Sequence, residues 1–115
     1  MNTFPKQERL CGRNAVQKLY REGRKFIVWP LRVTWSDGDA SGPTAVLVWA
    51  PKSLFKRAVK RNLLKRRMRE AYRLNKQDIA NKGRHIAFNY MDKAVQPYAV
   101  IERAMQKAIR KLNEA

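Results

Sequence analysis

Apolar positions along the chain alternate between helical and extended periods, separated by short polar links. Ala15, Val16, Leu19 and Tyr20 recur at helical spacing, which predicts a helix over residues 12 to 21 that Gly23 ends in a left-handed cap. Phe26, Ile27 and Val28 begin an extended stretch that Pro30 interrupts, so a short strand is followed by a second from Leu31 to Trp35. In the second strand Leu31, Val33 and Trp35 point one way while Arg32 and Thr34 point the other. The segment SDGDASGP, residues 36 to 43, is an exposed turn. Thr44 to Trp49 is a nearly continuous apolar run with the character of a central strand, and Ala50 and Pro51 end it.

A long helix is predicted from roughly Phe55 to Asn75. A polar link leads through Gly83 to a strand from His85 to Tyr90. Pro97 opens a last helix, in which Val100, Ile101, Ala104, Met105, Ala108, Ile109 and Leu112 form a core-facing stripe. With 115 residues and neither an internal repeat nor a low-complexity segment, the chain reads as one domain, residues 1–115. The architecture is α+β, a mixed sheet with helices packed on it.

Charge changes this picture. The formal net charge is +17, and between Pro51 and Lys76 eleven Lys/Arg face a single acid, Glu70. At about 100° per residue, with Arg61 at zero, Lys65, Arg69, Asn62, Arg73 and Arg66 all fall within about 140°. Leu64, Met68 and Ala71 lie on the opposite side as the apolar stripe, extended by Leu63 and Leu74, with Tyr72 at the seam. Lys60 and Arg67 fall inside the apolar sector and are expected to snorkel past its rim. So many like charges at i,i+3 and i,i+4 repel one another, and a phosphate backbone is the natural counter-charge. Arginine predominates on the best-aligned face, which suits forked recognition of phosphate. A solvated face and an anionic membrane surface are the other readings of such a block.

Other chemistries find little support. A single cysteine, Cys11, allows no intramolecular disulfide, and one Cys with one His cannot assemble a structural zinc site. The first ten residues lack a signal pattern and no apolar run approaches a membrane span, so the expectation is a cytoplasmic protein. The nine acids are scattered, and the only histidine, His85, starts a strand, so no catalytic residue and no metal site is assigned. His85 reads as structural or as an RNA contact, and Trp29, Trp35 and Trp49 as core or cleft-edge residues.

The segment AVKRNLLKRRMREAYR, residues 58 to 73, resembles the signature of the bacterial ribonuclease P protein family in Ala58, Arg61, Asn62, Leu64, Lys65, Arg66 and Arg69. FPKQERL at 4 to 10, the helix ending in Gly23, Pro51 with Lys52, and the closing amphipathic helix fall in family order, so the resemblance covers nearly the whole chain. It implies an α-β-β-β-α-β-α sandwich with a four-stranded mixed sheet and a left-handed β-α-β crossover, against the usual rule. It further implies an auxiliary protein subunit that binds a catalytic RNA and the 5′ leader of precursor tRNA. The chemistry then belongs to the RNA and its Mg2+, with no cofactor held by the protein.

Carried over by residue, Arg61, Asn62, Lys65, Arg66 and Arg69 contact the catalytic RNA. Lys60 and Arg73 belong to the same basic block, and Lys52, Lys56 and Arg57 lead into it and could clamp phosphates. Asn62 can both donate and accept. Position 63 is Leu where many members carry a second Arg, for which Arg67 is a partial substitute on a different face. In the family the leader lies in a cleft between the first helix and the sheet, lined by aromatic rings that stack on unpaired bases. Tyr20 matches one such position, Val16 stands where Phe is common, and Thr34 or Trp35 falls where a strand aromatic is usual.

The sequence therefore points to a ribonuclease P protein subunit acting in tRNA 5′ maturation. Its partners would be the catalytic RNA and the precursor leader, with no membrane and no obligate protein partner. A basic ribosome-associated protein or RNA chaperone is the alternative, and a nuclease acting alone is the weakest reading.

Overall fold

The computed structural model describes residues 13–38, 44–79 and 83–114. FPKQERL, Cys11, the first residue of the predicted first helix and most of the predicted 36–43 turn lie outside them. The elements run α1 (Arg13–Glu22), β1 (Arg24–Val28), β2 (Leu31–Asp37), β3 (Ala45–Trp49), α2 (Ala58–Asn75), a single 3-10 turn (Lys76–Asp78), β4 (Arg84–Tyr90) and α3 (Tyr98–Glu114). The fold is an α+β sandwich on a four-stranded mixed sheet of order β1-β2-β4-β3. β1 and β2 pair antiparallel, as do β2 and β4, while β3 and β4 are parallel neighbours joined through α2.

The sheet has two unequal sides. Leu31, Val33 and Trp35 of β2, Ile86, Phe88 and Tyr90 of β4 and Val46 and Val48 of β3 face one way, into the main core beneath α2 and α3. Residues of the other phase face α1, where Leu19, Ala87 and Thr34 are buried and Ala15, Val16, Tyr20, Ala45 and Leu47 are partly so. Alternation at a spacing of two decides which residues go where. The thin cover of α1 leaves much of its side of the sheet open.

Several sequence expectations need correction. β3 is an edge strand, not a central one; it reads as continuously apolar because its two faces pack against different layers, Val46 and Val48 on the core and Ala45 and Leu47 beneath α1. β2 continues to Asp37, two residues past Trp35, paired with Arg84 at the start of β4. α2 starts at Ala58, because Leu54 and Phe55 form a turn closed by bonds from their N–H groups to the Pro51 carbonyl, with Phe55 buried against Tyr90. The buried stripe of α2 is Leu64, Met68, Ala71, Tyr72 and Asn75, an arc of about 100° that turns toward Tyr72 and away from Leu63 and Leu74. Tyr72 packs on Phe88, and Leu74 stays 40% exposed. In α3 the predicted stripe is buried from Ile101 to Leu112, while Val100 is only partly covered.

Gly23 is not left-handed; among the described glycines only Gly83 has a positive φ, 79°. Its role is close approach. A Cβ at Gly23 would lie 2.5 Å from the Leu19 carbonyl oxygen, 2.9 Å from Thr34 Cγ2 and 3.0 Å from the Trp35 carbonyl oxygen. The glycine lets the end of α1 lie directly on β2, with its own N–H donating to Leu19 O at 2.7 Å.

Candidate nucleic-acid interface

α2 carries its cations where the helical wheel places them. Arg66, Arg69 and Asn62 are exposed, as are Lys60, Arg57, Lys56 and Lys52 at and before the first turn. Among the described residues none of these cations has a carboxylate partner. The N-cap position before α2 is Arg57, which makes no side-chain cap, and the first turn holds no acid, so the positive end of the helix adds to the field of the side chains. Lys56, Arg57 and Lys60 share a pocket with Lys93 and with Phe55 and Val95, which brings a cation from the loop after β4 into the same patch.

Three of the predicted contact residues also work inside the protein. Arg61 is half-buried, and its Nη1 donates to the carbonyls of Phe55 at 2.7 Å and Lys56 at 2.8 Å, pinning the lead-in loop to the helix. Arg73 is held by Glu70, which takes both Nε, at 3.2 Å, and Nη2. The Arg73 guanidinium in turn lowers the Glu70 carboxyl below its usual range. Lys65 lies over the Trp49 ring, 5.5 Å from its centre. Arg67 does snorkel from the apolar sector, but its Nη1 donates to the Gln96 carbonyl at 2.8 Å. It fastens the loop before α3.

The second predicted surface lies across the sheet. Val16 and Tyr20 project from α1 onto the sheet, and both stay partly exposed. The Tyr20 hydroxyl donates to Asn89 Oδ1 at 2.9 Å, which fixes the ring as one wall of a cleft, and burial raises its pKa. Thr34 belongs to this side but is 1% exposed under α1, so it forms floor and offers no stacking surface. Trp35 does not belong to the cleft. It is one residue out of phase, faces the main core at 4% exposure, and lies between the guanidinium groups of Arg24 at 5.3 Å and Arg84 at 4.3 Å. His85 is half-buried on the α1 side, in register with Ser36 and Ala45.

Sequence reasoning gave no site role to two of the residues that complete this side, Arg32 and Asn89. Arg32, Asn89 and Trp49 lie in one register row across β2, β4 and β3. Arg32 is exposed and Trp49 is 46% exposed. Asn89 and Arg32 were signalled by strand alternation. Trp49, for which the sequence left core and cleft edge open, stands at the edge. No helix among the described residues is long and apolar enough to cross a membrane, and no three His, Cys, Asp or Glu among them cluster as a metal site.

Comparison with known proteins follows the same lines. The family model described as Ribonuclease P matches residues 4–113. A ribonuclease P protein component from Porphyromonas gingivalis is 39% identical over 112 residues, covering 90% of this chain and 82% of that protein. One from Chlorobaculum tepidum is 35% identical over 108 residues, covering 81% and 70%. Among solved structures, the RNase P protein of Staphylococcus aureus superposes with a TM-score of 0.77 at 19% identity, over 92% of this chain and 95% of that one. That of Thermotoga maritima gives 0.75 at 22% identity, over 94% and 97%.

Proposed function

The chain belongs to the ribonuclease P protein family, and from that premise we propose that it binds the catalytic RNA of the enzyme through α2 and the 5′ leader of precursor tRNA through the α1 cleft. The observation that carries this reading is the row of exposed α2 cations without carboxylate partners, on a helix whose one acid is already engaged by Arg73. Arg66, Arg69, Lys60 and Asn62 meet the RNA; Arg57, Lys56 and Lys52 extend the contact along the lead-in loop. Arg61 holds that loop in place while its remaining donors face the same RNA.

In the cleft, Val16 and Tyr20 flank a leader base over a floor of Thr34, Ala87 and Leu47, and Arg32 meets the neighbouring phosphate. Hydrolysis falls to the RNA, whose Mg2+ would supply water activation and charge stabilisation at the leaving oxygen. This chain's residues bind and orient: two anionic strands that repel each other are drawn onto one cationic body. The protein acts in the cytoplasm, as the auxiliary subunit of an endoribonuclease.

The test is cleavage of a 5′-extended precursor tRNA at low magnesium by the protein alone, the cognate ribonuclease P RNA alone, and both together. Strong cleavage at the mature 5′ end for the mixture only is the expected result. No gain over the RNA alone would overturn the reading in favour of a general RNA chaperone, and cleavage by the protein alone would overturn the division of labour.

A further inference from the structure

A third surface lies at the β1 edge of the sheet, between the β1-β2 turn and α3, with Ile27 in register beside Arg32 of the cleft row. The turn joining β1 to β2 leaves Trp29 56% exposed, and Ile27 beside it is 54% exposed. Together with Val28 they form one wall of a groove whose other wall is Val100, Arg103 and Lys107 of α3. Arg103 and Lys107 are exposed, stand one helical turn apart on one face, and have no carboxylate partner among the described residues. The nearest acid in sequence, Glu102, accepts a bond from the Tyr98 hydroxyl at 3.2 Å. Lys65 covers Trp49 and two arginines cover Trp35, but no cation among the described residues covers the face of Trp29.

An uncovered indole beside two unpaired cations matches one ligand chemistry: a base to lie on the ring and phosphates to meet the charges. We infer that this groove is a second single-stranded RNA contact, in which an unpaired base stacks on Trp29 and the adjoining phosphates reach Arg103 and Lys107. Charge complementarity selects the occupant. A second copy of this chain docked here about a two-fold axis would set Arg103 and Lys107 against their own counterparts on a body of net charge +17. The strand order places this groove and the β3 side of α2 at opposite edges of the sheet.

The experiment uses the full chain with a short unstructured oligoribonucleotide containing 5-bromouridine, and an abasic oligomer of the same length and charge. Photo-crosslinking maps the bound base, anisotropy gives affinity, and sedimentation gives oligomeric state. The crosslink is expected at Trp29. Trp29→Leu should weaken the base-bearing oligomer about fivefold or more, the lower end for one base stacked on an aromatic ring, and leave the abasic one unchanged. Arg103→Gln with Lys107→Gln should weaken both.

Both effects should persist when Arg66→Gln and Arg69→Gln disable α2, which separates this inference from the function proposed above. Equal loss for the abasic oligomer, or a crosslink confined to other residues, would overturn it. So would a wild-type dimer that Trp29→Leu converts to monomer with unchanged RNA affinity, which would make the groove a self-association surface. Because Trp29 is exposed, an unchanged thermal melt certifies that the variant is folded.

Discussion

The ammonium of Lys65 lies 5.5 Å from the centre of the Trp49 ring, and this contact joins the cationic face of α2 to the opposite side of the sheet around the β3 edge. Trp49 is in register with Asn89, whose side chain accepts from Tyr20, so a continuous path runs from the basic helix to the cleft. A cation over a half-exposed indole contributes about 0.5 to 1 kcal/mol. Lys65→Gln and Trp49→Leu should each destabilise by about that amount, and the double variant by less than the sum. A double-mutant cycle from urea melts measures the coupling.

Arg61 and Arg66 belong to the same motif but should fail differently. Arg61→Ala removes two charge-assisted bonds to the lead-in loop and is expected to cost about 2 to 3 kcal/mol of stability. Arg66→Ala, on an exposed side chain without an internal partner, should stay within about 0.5 kcal/mol. Urea midpoints measured beside RNA affinity separate a folding defect from a binding defect.

Gly23→Ala is expected to destabilise by about 1 to 3 kcal/mol, because its Cβ would meet two backbone oxygens and Thr34 Cγ2, none of which can move without shifting α1 off β2. Gly23→Asn should be no better, since the position does not need a left-handed backbone. Thermal melts of both variants check this.

Phosphate contacts made by α2 should appear in the salt dependence of RNA binding. Arg66→Gln with Arg69→Gln removes two cations and should flatten the plot of log K against log salt by about 1.4 to 1.8. Lys18→Gln, at an exposed α1 position outside the two surfaces, should leave the slope unchanged. Filter binding over a salt series distinguishes the two.

Alkaline pH should expose the cost of ionising Tyr98. Burial, and then the neighbouring Glu102 carboxylate, push its pKa up to about 12 in the folded protein, against about 10 in the unfolded chain. The folded state therefore favours the neutral phenol. This contribution is complete below about pH 10 and is lost as pH rises from there toward 12. Tyr98→Phe should remove that part of the decline in the urea midpoint between about pH 10 and 12, and one phenolate should be missing from the late phase of the ultraviolet titration.

Much of the fold was legible because burial follows period. The stripe of α3, the alternation of β2 and the polar arc of α2 all follow from side-chain direction along a helix or strand, and the structure keeps them. What failed needed knowledge of neighbours. Strand phase alone sends Trp35 to the core and Thr34 to the cleft; only the expectation of an aromatic ring there drew Trp35 to the wrong side. The run ending in Trp49 read as a central strand because apolar character reports burial of faces and is silent on which strand has a free edge. Gly23 reads as a cap because a helix end is visible in sequence and a strand pressed against it is not. Arg61 read as wholly external because nothing in a helical wheel reveals a loop folding back onto it.

The placement of β4 orders events in time. β3 has no neighbour in the sheet but β4, and β2 reaches β3 only through it. Between β3 and β4 the chain must first spell out α2, so the most strongly self-repelling segment is made before the sheet that will support it. Closing that sheet brings Thr34 beside Ala87, about fifty positions away, a long-range pairing that makes folding slow relative to a helical domain of the same size. Until Tyr90 has emerged, β3 is an apolar ribbon with both edges unpaired, and a nascent or refolding chain is then most exposed to aggregation. The step that ends this exposure is the insertion of β4 between two waiting strands.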